Sequence, residues 1–184
     1  MARNEFAAVL LAGVLAVTGE LCPRTQEPAA AATFRDPFTV SFEFPGKGRV
    51  EQPFDKTPYV SEKTIQVFPG EEFGVEIKSE GDDIVEISYQ PDLKKADVKF
   101  KFEVQKLGKQ SAMMMLTTKS QLDKTLIMEA WMLLPGRKDA VKTSLYPVLP
   151  HLMGIESWPQ PILKLELKNL RLAPPPKGLN HNPK

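Results

Sequence analysis

With 184 residues, Lys+Arg 24 against Asp+Glu 23 and a formal net charge of +1, the chain has room for one domain with a sizeable core. It carries no net field to recruit nucleic acid or an anionic membrane surface. Its single cysteine, Cys22, excludes an internal disulfide, so the domain must hold together by packing alone.

The apolar run Phe6 to Val17 suits the core of a secretory signal and falls short of the roughly 20 residues needed to span a bilayer. Before it, Arg3 is offset by Glu5, so only the amino terminus leaves a positive excess. Small residues permit cleavage after Val17-Thr18-Gly19 or after Ala30-Ala31-Ala32, which gives a mature start between Glu20 and Thr33 and a periplasmic or secreted product. Cys22 stands where a bacterial lipoprotein would carry its acylated cysteine, although Gly19, Glu20 and Leu21 depart from the Leu-small-small pattern. A lipid-anchored envelope protein is therefore the alternative, touching the membrane only through a lipid on Cys22. A buried core helix of a cytosolic protein is a further alternative for the run.

Cys22 to Asp36, rich in Pro and Ala, reads as leader and flexible linker. Phe38, Val40, Phe42 and Phe44 alternate with Thr39, Ser41 and Glu43, the period of a strand with one buried face. Arg49 to Pro58, with Pro53 and Pro58, reads as a long connection, because proline cannot donate to a central ladder. Thr64 to Phe68, Phe73 to Ile77, Val85 to Tyr89 and Val98 to Val104 follow as strands. Pro69-Gly70, Glu80-Gly81-Asp82-Asp83 and Pro91-Asp92 punctuate them as turns.

Ser111 to Thr118 and Thr125 to Leu134 lose the alternation, which predicts cover on both faces. Ile162 to Leu172 restores it with Leu163, Leu165 and Leu167. Turn signals every roughly 8–14 residues and the absence of amphipathic helices predict an all-β fold, an antiparallel β-sandwich, Ig-like or jelly-roll-like, of about eight strands. The implied organisation is a leader at residues 1–32, a sandwich at 33–172 and a disordered Pro-rich tail at 173–184.

The segment Val141 to Pro161 is irregular in pattern and rich in both apolar residues and prolines. One reading is a connection that closes one end of the sandwich, with Tyr146 and Trp158 as satellite core. The other is a preformed patch with Tyr146, His151, Glu156 and Trp158 at its polar points, suited to a protein partner or a small apolar ligand.

Metal is a second candidate chemistry: thioethers and imidazole suit Cu(I), and Met113, Met115, His151 and Met153 form the set that could supply them. The only other histidine, His181, falls in the tail, and methionines in strands usually fill core gaps. Catalysis has less support. There is no Gly-x-Ser-x-Gly, histidines are too few for a zinc enzyme, and the paired acids Glu71-Glu72 and Asp82-Asp83 point apart on a strand or sit in a turn. Carboxylates from distant strands would still permit a hydrolase. Lys94, Lys95, Lys99, Lys101, Lys106 and Lys109 gather around one hairpin, where lysines protect a sheet edge or face solvent. The expectation is an exported, non-enzymatic binding or structural module of a cell envelope or extracellular assembly, without a cofactor. A periplasmic copper carrier is the alternative and a carboxylate hydrolase the third reading.

Overall fold

The computed structural model of the chain describes residues 32–108 and 110–176. The signal-like run, Cys22 with its lipid alternative, Lys109 and residues 177–184 of the tail lie outside the described residues. Every regular element among the described residues is a strand. In chain order these are β1 (Phe34–Arg35), β2 (Phe38–Phe44), β3 (Gly48–Phe54), β4 (Thr57–Pro58), β5 (Val60–Ser61), β6 (Thr64–Val67) and β7 (Glu71–Glu80). Then come β8 (Asp83–Gln90), β9 (Val98–Lys106), β10 (Ala112–Ser120), β11 (Thr125–Leu133), β12 (Val141–Thr143), β13 (Met153–Trp158) and β14 (Lys164–Ala173).

Two five-stranded sheets, ordered β13-β10-β9-β7-β8 and β12-β11-β14-β6-β5, pack face to face, and all their pairings are antiparallel. The domain is a β-sandwich. Alternation explains its interior: Val98, Phe100 and Phe102 of β9 and Met114 and Leu116 of β10 turn inward against Leu126, Ala130, Leu165 and Leu167 of the second sheet. The hairpin β2–β3 lies outside both sheets and seals one side with Phe38 and Phe54 on the edges of the buried Phe68, at ring distances of 4.8 and 4.9 Å.

Three sequence expectations need correction. Residues Gly48–Phe54 are a strand, paired with β2 over its whole length; Pro53 fits because the two-stranded hairpin leaves β3 an outer edge where no N–H is needed. The chain orders before Asp36, because Arg35 is buried and β1 pairs with β4. In β10 and β11 the two faces are unequal: burial alternates along both, so Met114 is core whereas Met113 and Met115 sit half-buried on the outer face.

Two local devices shape the sheets. The link from β8 to β9 must pass over β7, which lies between them, and it crosses at Gly74. A Cβ there would sit 2.3 Å from that of Ala96, so only glycine leaves room. In β14 a bulge at Asn169, with φ of 53° and Nδ2 donating to Glu129 Oε2 at 2.9 Å, resets the inward phase from Leu165 and Leu167 to Leu170 and Leu172.

Candidate functional site

The ends of the two sheets leave an opening between β12 and β13, and residues 144–152 cross it. Val148 is fixed from below: its N–H donates to Leu126 O and its carbonyl accepts from Leu126 N–H, both at 2.9 Å. Under Gly154 the methyls of Val148 fill the space a Cβ would need, at 3.2 Å. The segment therefore covers this end of the sandwich, but the sequence reading that makes both Tyr146 and Trp158 satellite core is corrected at Tyr146, which is exposed. Part of it is also regular, since β12 and β13 are strands; Pro150 and Pro159 flank β13 without entering it.

The four polar points of the proposed patch separate. Trp158 is core, 8% exposed, packed edge-on to Phe102 and donating from Nε1 to Thr143 Oγ1 at 3.1 Å, a bond that ties β13 to β12. Glu156 is half-buried and accepts the Tyr146 N–H on Oε1 at 2.7 Å. His151, exposed and at a positive φ of 56°, sets Nε2 2.8 Å from Asp123 Oδ1. The Tyr146 side chain is 81% exposed.

The sequence reading counts Leu152, Met153 and Ile155 among the apolar residues of this segment but does not single them out as exposed. Leu152, Met153 and Ile155 are 44%, 56% and 55% exposed, and Met153 and Ile155 share the outer face of β13. The signal was present as the alternation Met153, Ile155, Ser157 against Gly154, Glu156, Trp158, which the flanking prolines obscured.

The copper set is spread out. Met115 stands opposite Ser157 and Met153 opposite Lys119, four positions along β10, or about 14 Å apart at a strand's rise. Met113 lies two positions beyond Met115, and His151 turns to Asp123. Among the described residues no group of three or more His, Cys, Asp and Glu side chains is arranged to hold a metal ion.

The acid pairs diverge as well. Glu71 turns inward to Arg35 and Glu72 outward, while Asp82 binds Lys124 Nζ at 2.8 Å. Lys101, on the outer face of β9, is held by Glu103 at 2.9 Å. Two open clefts lie away from the 144–158 region. One of about 480 Å³ runs between Lys47, Arg49 and Val50 of the hairpin and Leu134 and Pro135. The other, of about 530 Å³, has Val60, Lys63, Val85 and Tyr89 in its walls.

Among the described residues one charged side chain is buried. Arg35, 6% exposed, donates from Nε and Nη2 to the two oxygens of Glu71 at 2.5 and 2.7 Å, from Nη1 to Pro58 O and from Nη2 also to Gln66 O. Its guanidinium lies 3.7 Å from the centre of the Tyr59 ring. This cage latches the start of the domain onto both sheets. It uses nearly all the donors of the guanidinium and is a structural lock. Comparison with protein-family models, with curated proteins and with solved structures finds no match for the chain.

Proposed function

We propose that the chain is an exported, non-enzymatic β-sandwich module, periplasmic or secreted, that acts by binding within a cell-envelope or extracellular assembly. Its contact surface is the apolar border formed by Tyr146 and β13. One observation carries this reading: of the seven large hydrophobic residues exposed among the described residues, four are Tyr146, Leu152, Met153 and Ile155. Scattered exposed hydrophobics are ordinary on a folded surface, whereas four within the stretch 146–155 favour an interaction site there. The signal-like run Phe6 to Val17 supports export.

The test is a photo-crosslinking residue placed at Ile155 in the producing cells, with the same residue at Glu43 of β2 as control. Adducts of a discrete mass from position 155 and none from position 43 are expected. Equal or absent adducts from both positions would remove the surface from consideration. Intact mass of the purified product should begin between Glu20 and Thr33; retention of Met1 to Gly19 would remove export.

A further inference from the structure

We infer that β13 is an association edge through which the chain pairs with a second copy of itself, the two strands running antiparallel about a two-fold axis at Ile155. This rests on the reading of the Tyr146 and β13 border as a contact surface, and it names the partner.

The backbone supplies the first argument. Ser120 N–H donates to Leu152 O at 3.0 Å, and this pair continues the register Lys119↔Met153 of β10 with β13. In an antiparallel ladder the residues alternate in direction, so Leu152, Gly154, Glu156 and Trp158 turn their peptide groups to β10. Met153, Ile155 and Ser157 turn theirs the other way. β13 ends the sheet, so among the described residues no strand lies beside those groups.

The other sheet ends are blunted. β8 receives Lys63 Nζ on Ile84 O, and Leu172 N–H bonds Asp82 O just before it. β12 and β5 are three and two residues long. β13 has six residues without lysine, proline or a register shift, so the usual protections of an edge are missing. Its one charge, Glu156, is turned inward and bonded to Tyr146 N–H.

The sequence then selects the partner and the register. With the axis at Ile155, Ile155 faces its own copy, Met153 faces Ser157, and Glu156 faces Gly154, which leaves it room. All three outward residues pair, giving about six backbone hydrogen bonds. The outer side chains Met153 and Ile155 of both copies merge into one apolar strip. Moving the axis to Glu156 sets two glutamates side by side, which is unfavourable. It also sets Met153 against Pro159, which has no N–H. Moving it to Gly154 sets Ser157 against His151 in its turn and loses a pair. The strand is thus self-complementary in one register, as an isologous interface requires.

The experiment uses the full chain purified from the producing cells, with Cys22→Ser so that introduced cysteines are the only ones. Sedimentation of this protein should show a dimer. Ile155→Lys, which removes the Ile–Ile contact and brings two ammonium groups together at the axis, should weaken it at least about ten-fold while circular dichroism stays native and the unfolding midpoint no longer rises with protein concentration. Disulfide trapping keeps the test independent of that variant. Ile155→Cys should cross-link to its copy, since directly paired Cα atoms about 5.5 Å apart lie within disulfide reach. Met153→Cys, about 14 Å from its copy in this register, should cross-link at least about ten-fold more slowly.

A chain that sediments as a monomer at every concentration, or equal trapping at 153 and 155, overturns the self-pairing. If that chain still gives adducts of another mass from position 155 in cells, the two-fold partner is wrong and the contact surface stands. No adduct of any kind removes both.

Discussion

Replacing Glu71 by glutamine keeps the shape of the Arg35 cage and removes its negative charge. The Arg35 side chain is only 5% exposed and that of Glu71 22%, so the guanidinium depends on its partner more than the carboxylate does. Breaking a buried pair from one side costs about 3–5 kcal/mol. Arg35 keeps Pro58 O, Gln66 O and the Tyr59 face, which places Glu71→Gln near the lower end, at about 3 kcal/mol. Arg35→Met leaves a carboxylate that still reaches water and still accepts Phe68 N–H at 3.1 Å, so its cost should be smaller, about 2 kcal/mol. The double variant has no uncompensated charge. It should cost about 2–3 kcal/mol, against about 5 for independent effects. Urea unfolding of the four proteins, followed by Trp fluorescence, measures these differences. Thermal midpoints should fall by about 6–12 °C for Glu71→Gln, taking about 2–4 °C per kcal/mol. A Glu71→Gln variant within about 1 kcal/mol of the parent, or strict additivity in the double variant, would refute the reasoning.

Other residues give sharper contrasts. Trp158→Ala should cost about 3–5 kcal/mol because it empties a core site and breaks the Thr143 bond. Tyr146→Ala should stay within about 0.5 kcal/mol and weaken only association; urea midpoints distinguish them, and an unfolded Tyr146→Ala would contradict its surface position. Gly74→Ala should cost about 1–3 kcal/mol by forcing the Ala96 crossing away from β7, read from the same midpoints. Burial first, then the neighbouring Tyr89, raises the Tyr59 phenol above its ordinary value of 10.0. The fold therefore favours the neutral phenol: that stability is complete below about pH 10 and is lost as the pH rises beyond it. Tyr59→Phe should flatten the loss in denaturation between about pH 9 and pH 11, and an unchanged slope would contradict the assignment.

The β-sandwich was legible because alternation in β2, β7, β8, β9 and the first half of β14 writes the buried face directly into the sequence. β3 and β13 were obscured by prolines. Pro53 lies on an edge where its missing N–H has no consequence, and Pro150 and Pro159 only bracket β13. The run Met113, Met114, Met115 reads as cover on both faces because methionine is apolar. In the structure only Met114 is core, and Met113 and Met115 sit half-buried on the outer face. The Arg35 latch leaves no local signal, since its carboxylate arrives from 36 residues away. Of the proposed contact surface, the sequence supplied the segment, with Tyr146, Leu152, Met153 and Ile155 among its apolar residues. It assigned Trp158 to core and to contact in competing readings, and burial separates them. That β13 stands at a sheet end depends on strand order, which the periodicity of single segments does not encode.

Amide hydrogen exchange is the most direct measurement of the claim that β13 is the interaction edge. It should be run on the assembly isolated from the producing cells and, for comparison, on the dissociated chain. Met153, Ile155 and Ser157 should exchange at least about ten-fold more slowly in the assembly, while the amides of Phe34 and Val85, which belong to other exposed sites, remain unchanged. Unaltered exchange along β13, or protection appearing around Phe34 or Val85 instead, would contradict it.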